Sequence, residues 1–359
     1  FLFAGSTRRK TVVEVERKER MSTGLKSVAS PATGSMFDVR FTMEDMGLEE
    51  NVAVEEEEEK GQVVLPNKNI RRNKEDILYH LGLSNTSGLQ EMFGDVKFVC
   101  MGGSALRAHR LAEKLQEALN IKYPPGAGIV PIGKTERFSL YKMGPVISVS
   151  HGMGMPSMSI LLHEITKLLY HAKASNVVFV RVGTCGGVGC PPGTVILTTE
   201  GVNAKLQSVY KMVNLGKTRK FATNLDASLI EEGLAAAEQE PRIPCVSGRT
   251  YGADDFYEGQ GRLDGALIDY TREERDTWMA QLKDANVRNI EMEAPCFAAF
   301  CNRANVRAMI CCAALLNRLL GDQVTATPEQ MNQYTERALD LAIRVIQRRL
   351  ASDSASSSS

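Results

Sequence analysis

A chain of 359 residues, 43% hydrophobic and 24% charged, is long enough for one large domain or two and has the apolar content for a sizeable core. Its 43 basic residues balance 43 acidic ones, which argues against nucleic acid as the main partner, because phosphate backbones select for excess Lys and Arg. No apolar run reaches the roughly eighteen residues of a membrane span, so no membrane partner is expected; the eight cysteines, none in a CxxC pair, read as reduced thiols of a cytoplasmic protein.

Residues 1–62 read as a disordered tail. The stretch from Glu44 to Lys60 is acid-rich and lacks aromatics, with Glu55 through Glu59 in one run that repels itself. Residues 63–350 then alternate between two periodicities. Val96–Met101 is a β-type run, Leu106–Leu119 has helical spacing, Val146–Val149 is a strand and Ser157–Ala172 a helix. Val177–Val182 and Thr194–Leu197 are buried-type strands, Leu229–Gln239 and Arg272–Ala285 are helical, Val306–Leu316 is a strand, and Glu329–Leu350 is a long amphipathic helix. Alternation of this kind predicts an α/β sheet covered on both faces, with ligands bound beyond strand ends. The Ser-rich residues 351–359 have nothing to bury and are expected to be disordered.

Several strand ends carry chemistry. In Gly102-Gly103-Ser104-Ala105-Leu106-Arg107 the glycines stand between a strand and a helix start. Backbone N–H groups there can hold an anion and Arg107 can turn back toward it, although an ordinary strand-to-helix turn looks the same. Arg181 ends an apolar strand before Gly183-Thr184-Cys185-Gly186-Gly187; burying its guanidinium requires an anionic partner from elsewhere in the chain, or a ligand. The glycine spacing fits neither a dinucleotide fingerprint nor a P-loop, which argues against a nucleoside triphosphate. Cys185 has no neighbouring His and reads as a small buried thiol.

In Ile290-Glu291-Met292-Glu293-Ala294-Pro295 two acids precede a helix start. They can accept the hydroxyls of a sugar, or Glu293 can simply compensate the helix dipole. Leu315-Leu316-Asn317-Arg318 turns polar at a sheet edge. Asp255–Arg262 combines an aromatic face with Gln260, which both donates and accepts, and Arg262, a fixed fork of donors; that set suits a planar heterocycle with an N–H between two carbonyls. Of five histidines, His80 is the functional candidate; His151, in a Gly-rich turn, reads as structural, and His109, His163 and His171 as surface or packing residues.

Taken in order, Ser148–Met155 (SVSHGMGM), Arg181–Gly189, Asp255–Asp269 (DFYEGQGRLDGALID) and Leu315–Gln323 (LLNRLLGDQ) resemble the animal-type uridine phosphorylase branch of the nucleoside phosphorylase family, over roughly residues 73–350. The resemblance implies a three-layer α/β/α fold with a distorted, partly barrel-like mixed central sheet. It implies that Gly103, Arg107, Arg181 and Thr184 hold phosphate, with Arg137 reaching the phosphate of a neighbouring subunit. Thr184, Met292 and Glu293 would hold the ribose, and His80 would reach its 5′-hydroxyl across the same interface. Phe256, Gln260 and Arg262 would read the base, Leu315 and Leu316 would line its pocket, and Arg318 would support Arg262 or a water.

Arg181, Glu293, Gln260 and Arg262 are the expected catalytic set for a reversible phosphorolysis of uridine to uracil and ribose 1-phosphate. Inorganic phosphate is the co-substrate; no cofactor and no metal are expected, and a homodimer or higher homo-oligomer would carry its sites at the interface. Cys185, Cys190, the Ala294-Pro295 pair and Phe138 depart from the family pattern, the last where bacterial relatives carry an acid that helps bind a monovalent cation. A purine nucleoside phosphorylase, a nucleoside hydrolase and a catalytically silent binding homologue stay open as alternatives. Asn317 beside Gln260 and Arg262 favours a pyrimidine, and three retained arginines would serve no purpose with water as nucleophile.

Overall fold

The computed structural model describes residues 61–356 apart from Asn73, Pro125 and Lys134; the expected tail up to residue 60 and the last three serines lie outside the described residues. Chain order begins with the short pair β1 (Ile77–Leu78) and β2 (Leu83–Ser84), then α1 (Leu89–Phe93), β3 (Phe98–Gly102), α2 (Ala105–Ala118), β4 (Leu140–Met143), β5 (Val146–Ser150) and α3 (Met155–His171). Next come β6 (Val178–Gly187), β7 (Val195–Val202), the hairpin β8 (Val209–Asn214) and β9 (Lys217–Ala222), α4 (Ala227–Glu238) and β10 (Cys245–Gly252). The chain finishes with α5 (Arg272–Asp284), β11 (Val287–Glu291), α6 (Ala294–Arg303), β12 (Arg307–Asn317) and α7 (Pro328–Ser356).

Eight strands form one mixed sheet in the order β11-β10-β7-β12-β6-β3-β5-β4. β11 also pairs antiparallel with β6, through Asn289 opposite Gly187 and Ile290 opposite Gly186, so β6, β12, β7, β10 and β11 close into a five-stranded ring. The expected three-layer fold with a barrel-like sheet is what the chain adopts. Helices α2, α4 and α7 pack together over one face, and α1, α3 and α6 over the other. β3 and β5 are buried at every residue, as a strand covered on both faces must be. Among the described residues no helix is long and apolar enough to cross a membrane.

Three differences from the expected elements have physical causes. β6 does not stop at Gly183 but continues through Gly187, because β12 pairs with it along its whole length and supplies the ladder that a glycine-rich run lacks on its own. α7 runs past Leu350 to Ser356, so most of the end expected to be disordered is helical. The hydroxyl of Ser352 donates to the Arg349 carbonyl and that of Ser354 to the Leu350 carbonyl, which keeps these residues compatible with a helix. At the other end Gln62 already bridges to Ser175, within the span expected to be tail.

Candidate active site

One cavity collects residues from the ends of β3, β5, β6, β11 and β12 and from the loop after β10. Its first end is built for an anion. Ser104 caps α2 by accepting from the Arg107 N–H, and the same hydroxyl holds Arg107 Nε at 3.3 Å. Arg107 Nη1 donates to Thr184 Oγ1 at 3.1 Å, tying the first turn of α2 to β6. Gly103 has no side chain for a steric reason: a Cβ there would fall 2.7 Å from Arg107 Nη2 and displace the guanidinium. Burial, with the like charge of Arg181 nearby, holds the Arg107 pKa below its ordinary value.

Arg181, 3% exposed, finds its counter-charges far along the chain. One Nη donates to Glu291 at 2.8 Å and to Glu293, and the other to the thiol sulfur of Cys312 at 3.1 Å. Burial lowers its pKa, but the two carboxylates more than reverse that and hold it above its ordinary value. The acids divide the work. Glu291 accepts from the N–H groups of Glu293 and Ala294, both at 2.9 Å, and so satisfies the start of α6. Glu293 makes no cap bond and faces Arg181 and the cavity instead; it is not merely a helix-dipole acid. Burial beside a second carboxylate pushes Glu291 up, whereas Glu293, against the same burial, is held down by the charge of Arg181.

This placement requires α6 to approach the sheet closely. A Cβ at Gly252 would meet the Pro295 ring at 2.1 Å, so only glycine lets Pro295 seat there. Cys185 lies beside Cys312 under the cavity, and burial raises its thiol well above the ordinary value, as expected of a buried thiol and not of a nucleophile.

His151 was expected to be structural, yet it lines the same end of the cavity. It is 1% exposed, and neither ring nitrogen has a hydrogen-bond partner among the described residues. A Gly-rich turn in the sequence says nothing of burial, so only the fold exposes this role.

The second end carries donors on a loop. Gln260 is buried, and Arg318 Nη2 donates to its backbone carbonyl at 2.9 Å while Nη1 reaches its side-chain Oε1 at 3.4 Å. Engaging the oxygen orients the amide NH2 as the free donor. Arg262 is gripped by Asp264 through Nε and Nη2 at 2.9 and 2.8 Å and by the Asp322 carbonyl at 2.7 Å, and it stacks on Phe256 at 4.7 Å. Arg318 was expected to support Arg262 or a water. It supports Gln260 directly and meets Arg262 only through Asp322, whose carboxylate takes Arg318 while its backbone carbonyl takes Arg262. Asp322 also takes Arg275 at 3.1 Å and the Leu263 N–H at 2.9 Å. Asp264, Arg275 and Asp322 were not singled out from sequence; Met292, Leu315 and Leu316 line the cavity.

Two expected residues stand away from the cavity lining. His80 Nδ1 bonds the Glu164 carboxylate at 2.6 Å, and Arg137 Nη2 donates to Ser157 at 3.0 Å.

Comparison with known proteins gives the same answer on three counts. The profile of the phosphorylase superfamily matches residues 97–348. The chain is 42% identical to mouse uridine phosphorylase 1 over 289 residues, 80% of this chain and 93% of that one, and 44% identical to a Caenorhabditis elegans uridine and thymidine phosphorylase, covering 80% and 96%. A solved uridine phosphorylase of the oomycete Phytophthora capsici superposes with a TM-score of 0.78 at 42% identity, over 81% of this chain and 99% of that one.

Proposed function

Because the chain belongs to the phosphorylase superfamily, in its uridine phosphorylase branch, we infer from that membership and from the two-ended cavity that it catalyses the reversible phosphorolysis of uridine to uracil and ribose 1-phosphate. The observation that carries the reading is the placement of Glu293 on one cavity wall with Arg107 and Arg181 at one end and Gln260 and Arg262 at the other. Phosphate sits against Arg107, Arg181, Thr184 and Gly103. Glu293 accepts ribose hydroxyls, with Met292 and Thr184 beside the sugar. A phosphate oxygen forms its bond to C1′ as the C1′–N1 bond breaks, and the electron pair leaves on the uracil ring, spread onto its two carbonyl oxygens.

The Gln260 NH2 and Arg262 donate to that developing charge from fixed positions, a contribution on the order of a few kcal/mol per donor. Holding the anion next to the sugar turns an encounter into a local event. His80 and Arg137, engaged with Glu164 and Ser157 in their own subunit, complete the ribose and phosphate contacts of a second copy in a homodimer or larger assembly.

The test is release of uracil from uridine with and without inorganic phosphate. Cleavage of inosine but not uridine would mean a purine site; cleavage without phosphate would mean a hydrolase; neither, with the ligands still bound, would mean a silent homologue. Thymidine belongs in the same assay, since the nematode relative's name extends to it. A solution mass corresponding to a monomer would sink the interface roles of His80 and Arg137.

A further inference from the structure

We propose that His151 is the residue that makes the anion end specific for a protonated oxyanion, its ring nitrogen accepting the hydrogen bond of the P–OH group of monohydrogen phosphate. The proposal rests on the phosphorolysis reading above and deepens it.

The anion end is otherwise rich in donors. Arg107 and Arg181 have no acceptor atoms, and the Thr184 oxygen already accepts from Arg107, leaving its proton to donate. Each nearby carboxylate oxygen already accepts from a protein donor: Glu293 Oε1 from the Gly154 N–H at 2.6 Å, Glu293 Oε2 from Arg181, Glu291 Oε1 from Ala294, and Glu291 Oε2 from the Glu293 N–H and Arg181; the remaining lone pairs of Glu293 are the ones that face the ribose hydroxyls. A site of guanidiniums and hydroxyls takes sulfate as readily as phosphate, for the two have the same shape and can carry the same charge. They differ in that monohydrogen phosphate carries one O–H donor and sulfate carries none. A buried acceptor is what tells them apart, and His151 supplies it.

The backbone fixes the ring's place. The His151 N–H donates to the Gly102 carbonyl at 2.8 Å, and the His151 carbonyl accepts from the Ser157 hydroxyl at 2.6 Å, in the turn where Gly152 and Gly154 take positive φ. Burial and then the charge of Arg181, with Arg107 in the same sense and Glu293 opposed, push the imidazole pKa down to about 3. A neutral imidazole keeps one acceptor nitrogen, whereas an imidazolium has none.

Kinetics on the full chain, with uridine cleavage followed at varied inorganic phosphate and sulfate as competing anion, test this. In the wild type the phosphate KM should lie at least about tenfold below the sulfate inhibition constant, the discrimination one charge-assisted hydrogen bond supplies. His151→Ala should raise the phosphate KM by about tenfold or more while moving the sulfate constant by less than about twofold. His151→Gln, which keeps an acceptor, should restore most of the difference. Equal wild-type affinities for the two anions would overturn the proposal, as would a variant that moves both constants together or neither. Uridine left intact in the presence of phosphate would instead defeat the phosphorolysis reading. Calorimetric titration of phosphate and sulfate into wild type and His151→Ala decides the role of His151 without turnover: loss of phosphate binding alone supports it, and equal changes for both anions overturn it.

Discussion

The two ends of the cavity are held in opposite ways. At the anion end a guanidinium on a central strand is neutralised by a carboxylate 112 positions later, with Arg181, Glu291 and Glu293 all under 5% exposed. At the base end the donors sit on a loop; Arg262 takes its grip from Asp264, two positions away, and Gln260 leans on Arg318. Charges buried in a sheet are bound up with the fold itself, whereas loop donors fixed by neighbours can be removed with less damage. The anion end should therefore lose stability and activity together, and the base end activity alone.

Arg181→Ala should show the largest effect. It leaves two buried carboxylates without their counter-charge, a loss of about 3–5 kcal/mol of stability as well as phosphate affinity. Thermal melting alongside phosphate KM would check it, and a variant that loses phosphate affinity with an unchanged melting temperature would break the contrast. Gln260→Ala or Arg262→Leu should lower kcat for uridine by about 10²–10³ with little change in phosphate KM or melting. Equal losses for phosphate and uridine would mean that the ends are not separable.

Acid sharpens the comparison through His151. Its folded pKa lies below its unfolded value of 6.5, so the unfolded chain binds the extra proton first and stability falls as pH drops below 6.5 toward about 3. Relative to His151→Asn, the wild type should lose about 2 kcal/mol between pH 7 and 5, measured by denaturant unfolding at each pH. Asp322→Asn weakens the clamp on Arg318 and Arg275 and should cost roughly 1–3 kcal/mol of stability together with a fall in uridine turnover. This is the one base-end substitution expected to affect both readouts. Ser104→Ala, smallest of all, removes the cap of α2 for about 1 kcal/mol and loosens Arg107, read as a modest rise in phosphate KM.

Sequence reading picks out cavity-lining residues where chemistry is local. Gly103, Arg107, Arg181 and Thr184 stand where a strand runs out, and Phe256, Gln260 and Arg262 lie within one short stretch, so their types and spacing speak for them. It failed where a role depends on what the fold brings alongside. Nothing in Glu291 says that it, and not Glu293, satisfies the first N–H groups of α6. Asp322 matters because Arg275 and Arg318 converge on its carboxylate and Arg262 on its backbone carbonyl, and His151 because its ring nitrogens have no hydrogen-bond partner among the described residues. The elements follow the same logic: β6 continues through glycines because β12 lies beside it, which no periodicity reveals.

The contact by which β11 completes the strand ring against β6 lies beside the salt link from Arg181 to Glu291, the last residue of β11. Ring closure and the charge centre of the anion end thus share one strand end, that of β11. Loosening that join should disturb the Arg181–Glu291 link with it. Amide exchange at Gly186 and Ile290 would then serve as a gauge of how intact the centre is, read without adding substrate.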